Sequence, residues 1–172
     1  VGCNDEYYMA DVPAGVTNFK FCRMNPATTE NNFNNHNRWA ETGNLTIPND
    51  GKNLFDMTQM YLDAKAGWRN DNARFAAYFY VKDGGDGKTK WMSMSPVKDD
   101  IYKCDIPSDH NFDWVIFCRM NGEQSTNNWD NKWNQTSNLE LTSSNYTHGN
   151  YFTITKFENG NTEGSWSWND IA

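Results

Sequence analysis

The pentapeptide Phe-Cys-Arg-Met-Asn occurs twice in this chain, at residues 21–25 and 117–121. What surrounds it is repeated as well. Phe33, Trp39, Thr42, Asn44 and Leu45 follow the first copy as Trp129, Trp133, Thr136, Asn138 and Leu139 follow the second. Upstream, Tyr8, Asp11, Val12 and Pro13 answer to Tyr102, Asp105, Ile106 and Pro107. Cys22 and Cys118 are 96 residues apart (118 minus 22), whereas Trp39 and Trp133 are 94 apart (133 minus 39), so two residues of loop separate the copies. Self-similarity on this scale predicts a duplicated folding unit. Residues 60–172 read as one complete unit, and residues 1–59 as a partial unit holding only its later strands.

Periodicity predicts the fold class. Over 74–81, Phe75, Ala77, Phe79 and Val81 share one face and Arg74, Ala76, Tyr78 and Tyr80 the other, an alternation with the period of a strand. The run Asp83-Gly84-Gly85-Asp86-Gly87 predicts a hairpin turn, after which Met92 and Met94 fall opposite Trp91 and Ser93. Further short strands are expected near 8–12, 19–24, 45–47, 54–57, 60–62, 101–106, 114–120, 139–141, 151–157 and 164–168, with hairpins at 8–24 and 101–120. The Asn-rich stretch 25–44 and its counterpart around Trp129 and Trp133 read as long loops, and 64–72 as a polar connection. No segment has a helical period. The expected architecture is all-β, with tandem immunoglobulin-like β-sandwich units related by internal duplication.

Charge narrows the partners. A net charge of -7 opposes binding to nucleic acid or an anionic membrane, both of which need clustered Lys and Arg. No apolar run is long enough to cross a bilayer, so no membrane insertion is expected. With no leader-like segment opening the sequence, a soluble extracellular or cell-surface chain is expected, its signal peptide already absent. Aromatics reach 15% of residues while mean hydropathy is -0.89, so apolar character is concentrated in rings set among Asn, Thr, Ser and Asp. That is a β-rich, sugar-like surface chemistry. Cys3, Cys22, Cys104 and Cys118 allow two disulfides, one or none. Cys104 and Cys118, on consecutive expected strands, are placed to meet, but the first unit has Ala10 in place of the former, which favours buried free thiols. No Cys/His spacing fits zinc.

The outward rings carry the functional reading. Tyr78, Tyr80 and Trp91 fall on one hairpin face. The face of such a ring attracts the axial C–H bonds of a pyranose while neighbouring Asn, Gln and Asp bond its hydroxyls. The order of Tyr78 and Tyr80, a glycine-rich turn, Trp91 with Met94, YKCDIP at 102–107, FCRMN at 117–121 and NWDN at 128–131 resembles bacterial starch-binding carbohydrate-binding modules of families 25 and 26. The resemblance spans about 60–168 and the later half of a unit in 1–57. It implies a non-catalytic β-sandwich that holds maltooligosaccharides on Tyr78, Tyr80 and Trp91. Trp129 and Asn131 in the following loop are further candidate contacts, and Trp133, which has a counterpart in Trp39, is expected to be structural. Starch or amylopectin is the implied ligand, with amylases or other modules of one assembly as protein partners. The chain departs from the family where Met92 and Ser93 stand in place of a Pro-Gly after the tryptophan. The first unit has no counterpart of 75–91 and should lack the main binding face.

Other chemistries have less support in the sequence. Glycoside hydrolysis needs two carboxylates a few ångströms apart, but most acids here sit in Asn/Gly/Asp turns, where they cap the local backbone. The turn at 83–87 lacks the later bidentate Glu of a calcium loop, so neither a metal nor a cofactor is expected. His36, His110 and His148 are isolated from any triad pattern. The alternative to sugar binding is a protein-interaction or cell-surface structural module of the same fold. Lys82 to Lys90, without an apolar anchor, is expected either to be mobile and to order over ligand or to be an ordinary tight hairpin end, rigid in both states.

Overall fold

In the computed structural model the described residues are 10–34, 36–41, 44–46, 58–81, 88–107, 112–141 and 150–167. They form fourteen strands and, among the described residues, no helix. The first four strands are short: β1 (Asn18–Phe19), β2 (Cys22–Met24), β3 (Arg38–Glu41) and β4 (Leu45–Thr46). The rest are β5 (Gln59–Asp63), β6 (Arg74–Tyr80), β7 (Thr89–Ser93), β8 (Ser95–Lys98), β9 (Ile101–Asp105), β10 (Trp114–Met120), β11 (Lys132–Gln135), β12 (Leu139–Glu140), β13 (Tyr151–Glu158) and β14 (Asn161–Ser167).

Two five-stranded sheets make a β-sandwich-like body. The first runs β11-β10-β6-β7, with β12 beside β11 on the same edge of β10, and the second runs β14-β13-β5-β9-β8. β6 does form the expected strand, and its phase is the expected one: Phe75, Ala77 and Phe79 are at most 1% exposed and face inward. Val115 and Phe117 from β10 join them, with Met60 and Leu62 from β5 and Phe152 and Ile154 from β13. Burying each large side chain of this group contributes about 1.5 to 3 kcal/mol, so this single interior dominates the stability of the sandwich. Trp68 belongs to it too. Although it lies in a polar connection, its ring is fully buried, stacks on Phe75 at 6.0 Å and donates its indole N–H to Thr162 Oγ1 at 3.2 Å.

The connection carrying Trp68 is held in an unusual shape. Ala66, Asp71 and Asn72 have φ of 55°, 62° and 54°. These are left-handed values that Asn and Asp tolerate and that disfavour Ala by about 1 kcal/mol. Arg119, 5% exposed, points into this loop from β10 and holds it. Its Nε donates to Trp68 O at 2.6 Å, and its Nη2 to Asn70 O at 2.6 Å and Asp71 Oδ2 at 2.7 Å. Gly122 then runs so close that a Cβ there would lie 1.8 Å from Asn72 O, so no other residue fits without moving one of the two loops.

Several sequence expectations change in the structure. The pair 101–106 and 114–120 is not a hairpin: β9 pairs with β5 and β8 in one sheet, and β10 with β6, β11 and β12 in the other. Cys104 consequently sits in the interior between the sheets, while Cys118 lies on the opposite, outer face of β10 with Ala76, Ile116 and Met120. The two do not bond, and Cys22, Cys104 and Cys118 are free thiols. The Asn-rich stretches are not all loop, because β3 and β11 lie inside them. Ser95 and Pro96, read as a break, begin the exposed edge strand β8, where a proline ring displaces no ladder bond on the solvent side. Ala10 to Val12 is not a strand, so the expected hairpin at 8–24 does not form from its described part; β1 and β2 pair instead with β4 and β3. The edge strand expected at 164–168 is β14, which begins earlier, at Asn161. Cys3, the strand expected at 54–57, the turn at 83–87, His110, His148 and Trp168 lie outside the described residues.

The thiols supply a test of this placement. Burial pushes the pKa of both Cys104 and Cys118 up to about 12, which leaves roughly one thiolate in ten thousand at pH 8. Neither should react with Ellman's reagent in the native protein, and both should react after denaturation. A peptide map containing a 104–118 disulfide would refute the opposed faces.

The two hairpins whose first strands carry the repeated pentapeptide have matching geometry. Cys22↔Glu41, Arg23↔Ala40 and Met24↔Arg38 pair as Cys118↔Gln135, Arg119↔Asn134 and Met120↔Lys132 do, with the register shift after the arginine in each. Phe19↔Leu45 likewise matches Val115↔Leu139. Asn25 N–H donates to Asn37 O at 2.7 Å, as Asn121 N–H does to Asn131 O at 2.8 Å. The surroundings differ: Phe21 is 37% exposed and its counterpart Phe117 fully buried.

Candidate functional site

The outer face of the first sheet is built by the residues out of phase with the core. On β6 these are Arg74, Ala76, Tyr78 and Tyr80; on β10 they are Trp114, Ile116, Cys118 and Met120. Cross-strand register then decides which rings meet: Tyr78 is opposite Trp91 of β7, and Tyr80 is opposite Trp114. Tyr78 and Trp91 approach to 4.8 Å between centroids at 52°. Tyr78 and Tyr80 stack at 5.6 Å and 28°, and Tyr80 and Trp114 at 6.3 Å and 17°. The result is a diagonal row of four half-buried rings, Trp91, Tyr78, Tyr80 and Trp114, the first three packed on buried Ala76, Ile116, Cys118 and Met120.

A fifth ring stands across one end of the row. Trp129, on the loop 121–131, meets Tyr78 edge-on at 4.7 Å and 68° and Trp91 at 4.8 Å and 63°. It is 43% exposed. Trp129 therefore makes a wall to the floor formed by Tyr78 and Trp91, and the surface is a notch rather than a plane. Lys132 Nζ lies 5.1 Å from the Trp129 centroid, so a cation covers part of that ring. Burial and then the neighbouring Tyr78 raise the pKa of the Tyr80 phenol, which favours the protonated hydroxyl, a hydrogen-bond donor.

The structure therefore brings together Tyr78, Tyr80, Trp91 and Trp129. Asn131 has a different use. Its side-chain amide donates to Thr126 O at 3.0 Å, its backbone N–H bonds Asn128 Oδ1 at 2.8 Å, and its carbonyl accepts from Asn121. All three contacts close the loop on itself. Trp133, expected to be structural, is 40% exposed, much as Trp129 is, so exposure does not separate them. Their neighbours do: Trp133 covers the Arg119 guanidinium at 4.8 Å, away from the ring row. Sequence reasoning put Arg74 on this face without giving it a role, and it missed Trp114. Strand phase would have found the latter, since Trp114 alternates with Ile116 and Cys118. Of the loop between Lys82 and Lys90, residues 82–87 are outside the described residues.

Four of the described acids are engaged in holding the fold. Asp71 pairs with Arg119, Asp100 with Arg69, Asp105 with Gln59, and Asp63, 2% exposed, with Lys65 at 2.8 Å and the Tyr151 hydroxyl at 3.1 Å. His36, the one described histidine, is exposed. Comparison of the chain with protein families, curated proteins and solved structures finds no match.

Proposed function

We propose that this chain is a non-catalytic α-glucan-binding protein that holds maltooligosaccharide segments of starch or amylopectin in the notch between Trp91, Tyr78 and Trp129. One observation carries the reading: four large rings share one outer sheet face and a fifth is folded back across it. A row of this kind is a poor use of rings for stability alone, because part of each is left to water, and a good one for stacking on a chain of pyranoses. A wall at more than 60° to the floor suits a curved glucan better than a flat one. The structural engagement of Asp63, Asp71, Asp100 and Asp105 is in keeping with a binding rather than a hydrolytic role.

The same reading holds that 1–59 and 60–172 are related by duplication, as tandem immunoglobulin-like sandwich units. Support comes from the matched registers of β2–β3 with β10–β11 and from paired cations, since Arg38 lies over Phe33 at 5.3 Å as Lys132 does over Trp129. An extracellular or cell-surface setting beside amylases or other starch-handling modules follows from this function. Native affinity electrophoresis tests it. Retardation by amylopectin and pullulan but not by dextran or xylan is expected; migration unchanged by all four would overturn the reading in favour of a protein-interaction module.

A further inference from the structure

We propose that Arg74 is a positioning residue that sets the Trp129 wall before ligand arrives. This rests on the reading of the ring notch as a binding site. Arg74 opens β6 on the same face as Tyr78, so the strand that supplies the floor also supplies the anchor of the wall. Its Nε donates to Gln124 O, its Nη1 to Asn127 Oδ1, and its Nη2 to Thr126 O at 2.6 Å. One planar guanidinium thus holds three oxygens spread over four consecutive positions of the loop 121–131. A fork with fixed donor directions dictates the orientation of that backbone, which a point charge on a flexible stem does not.

The rest of the loop is tied to the same sheet. Asn127 Nδ2 reaches Ser93 Oγ on β7 at 3.0 Å, and Asn131 Nδ2 donates to Thr126 O at 3.0 Å. Trp129 follows Asn127 by two residues and meets Tyr78 and Trp91 at 4.7 and 4.8 Å. Gly122, pressed against Asn72 O, fixes the start of the loop next to the residue pair that leads into Arg74. The wall is therefore clamped at its base and again just before the ring. An eleven-residue loop without the clamp would have to be ordered by the ligand, and that ordering would be subtracted from affinity.

Arg74→Lys keeps the charge and loses the fork. In the ligand-free protein it should move and broaden the Trp129 indole N–H resonance in a 15N correlation spectrum, while the Trp68 indole, in the core, stays in place. By calorimetry it should weaken maltoheptaose binding about tenfold, the scale of ordering one or two side chains at an interface. In a Trp129→Ala background the same substitution should have no further effect on affinity, because Arg74 acts only through that ring. An unmoved Trp129 resonance together with wild-type affinity would overturn the proposal, as would a full tenfold loss that persists without Trp129. Should Arg74→Lys fail to fold, Asn127→Ala, which removes one acceptor of the fork and the tie to Ser93, must shift the same indole or the clamp is rejected. If the wild-type protein binds no glucan, the site reading fails by itself, and the indole resonance alone decides the clamp.

Discussion

Arg119→Met is expected to lower the free energy of unfolding by about 3 to 5 kcal/mol, read from urea denaturation. Each hydrogen bond from a charged donor is worth about 1.5 to 3 kcal/mol, and Arg119 makes such bonds to the carbonyls of Trp68 and Asn70. Removing it leaves both carbonyls without that donor and releases a loop held at the positive φ of Ala66, Asp71 and Asn72. Trp68 would loosen with it, because the carbonyl bonded to Arg119 belongs to the residue whose ring fills the core. The carboxylate matters less. Asp71 has a side chain 74% exposed, so its ion pair is screened, and Asp71→Asn should change stability by less than about 1 kcal/mol. Equal losses for the two substitutions would mean that the ion pair, not the carbonyl bonds, holds the loop.

Tyr78→Ala should weaken maltoheptaose binding by about 2 to 3 kcal/mol, the upper part of the range found when a stacking ring is removed. Tyr78 is the ring that touches the most others of the site: Tyr80, Trp91 and Trp129 all meet it within 5.6 Å. Its loss takes away a stacking surface and the support of both the floor and the wall. Trp91→Ala, which leaves the Tyr78–Tyr80 stack intact, should weaken binding less, by about 1 to 2 kcal/mol. The far-UV circular dichroism of both variants should match wild type, since the core residues of β6 are on the other face. Calorimetry that ranked Trp91→Ala above Tyr78→Ala would move the centre of the site towards the outer edge of β7.

Strand phase was the most legible part of the chain. Alternation over 74–81 separates Phe75, Ala77 and Phe79 from Tyr78 and Tyr80, and extending that logic to β10 reaches the full ring row. The failures have physical causes. β3 and β11 escaped because each pairs across a register shift, so two residues answer to one and the period of two is lost. Trp68 escaped because its segment is polar by composition: a single large ring enters the core while the backbone around it is satisfied by an arginine 51 residues away (119 minus 68). The supposed hairpin at 101–120 illustrates a further limit. Periodicity gives the faces of a strand but not its neighbours, and here consecutive strands belong to different sheets. Asn131 reads as a ligand contact in a motif, whereas its geometry is that of a turn that fastens itself.

The second sheet has one parallel junction, β5 with β13, where Tyr61 is opposite Tyr151. Those partners are 90 residues apart (151 minus 61), and every ring of the notch lies in the sequence between them. Closing so long an interval carries a large loop entropy that no local contact offsets, which makes such junctions slow. During synthesis the hairpin bearing Tyr78 and Trp91 and the loop bearing Trp129 leave the ribosome before β13 exists to cover the edge of β5. The rings of the notch are thus made early, on a half-closed sandwich whose inner face, with Phe75, Phe79 and Phe117, still waits for its cover.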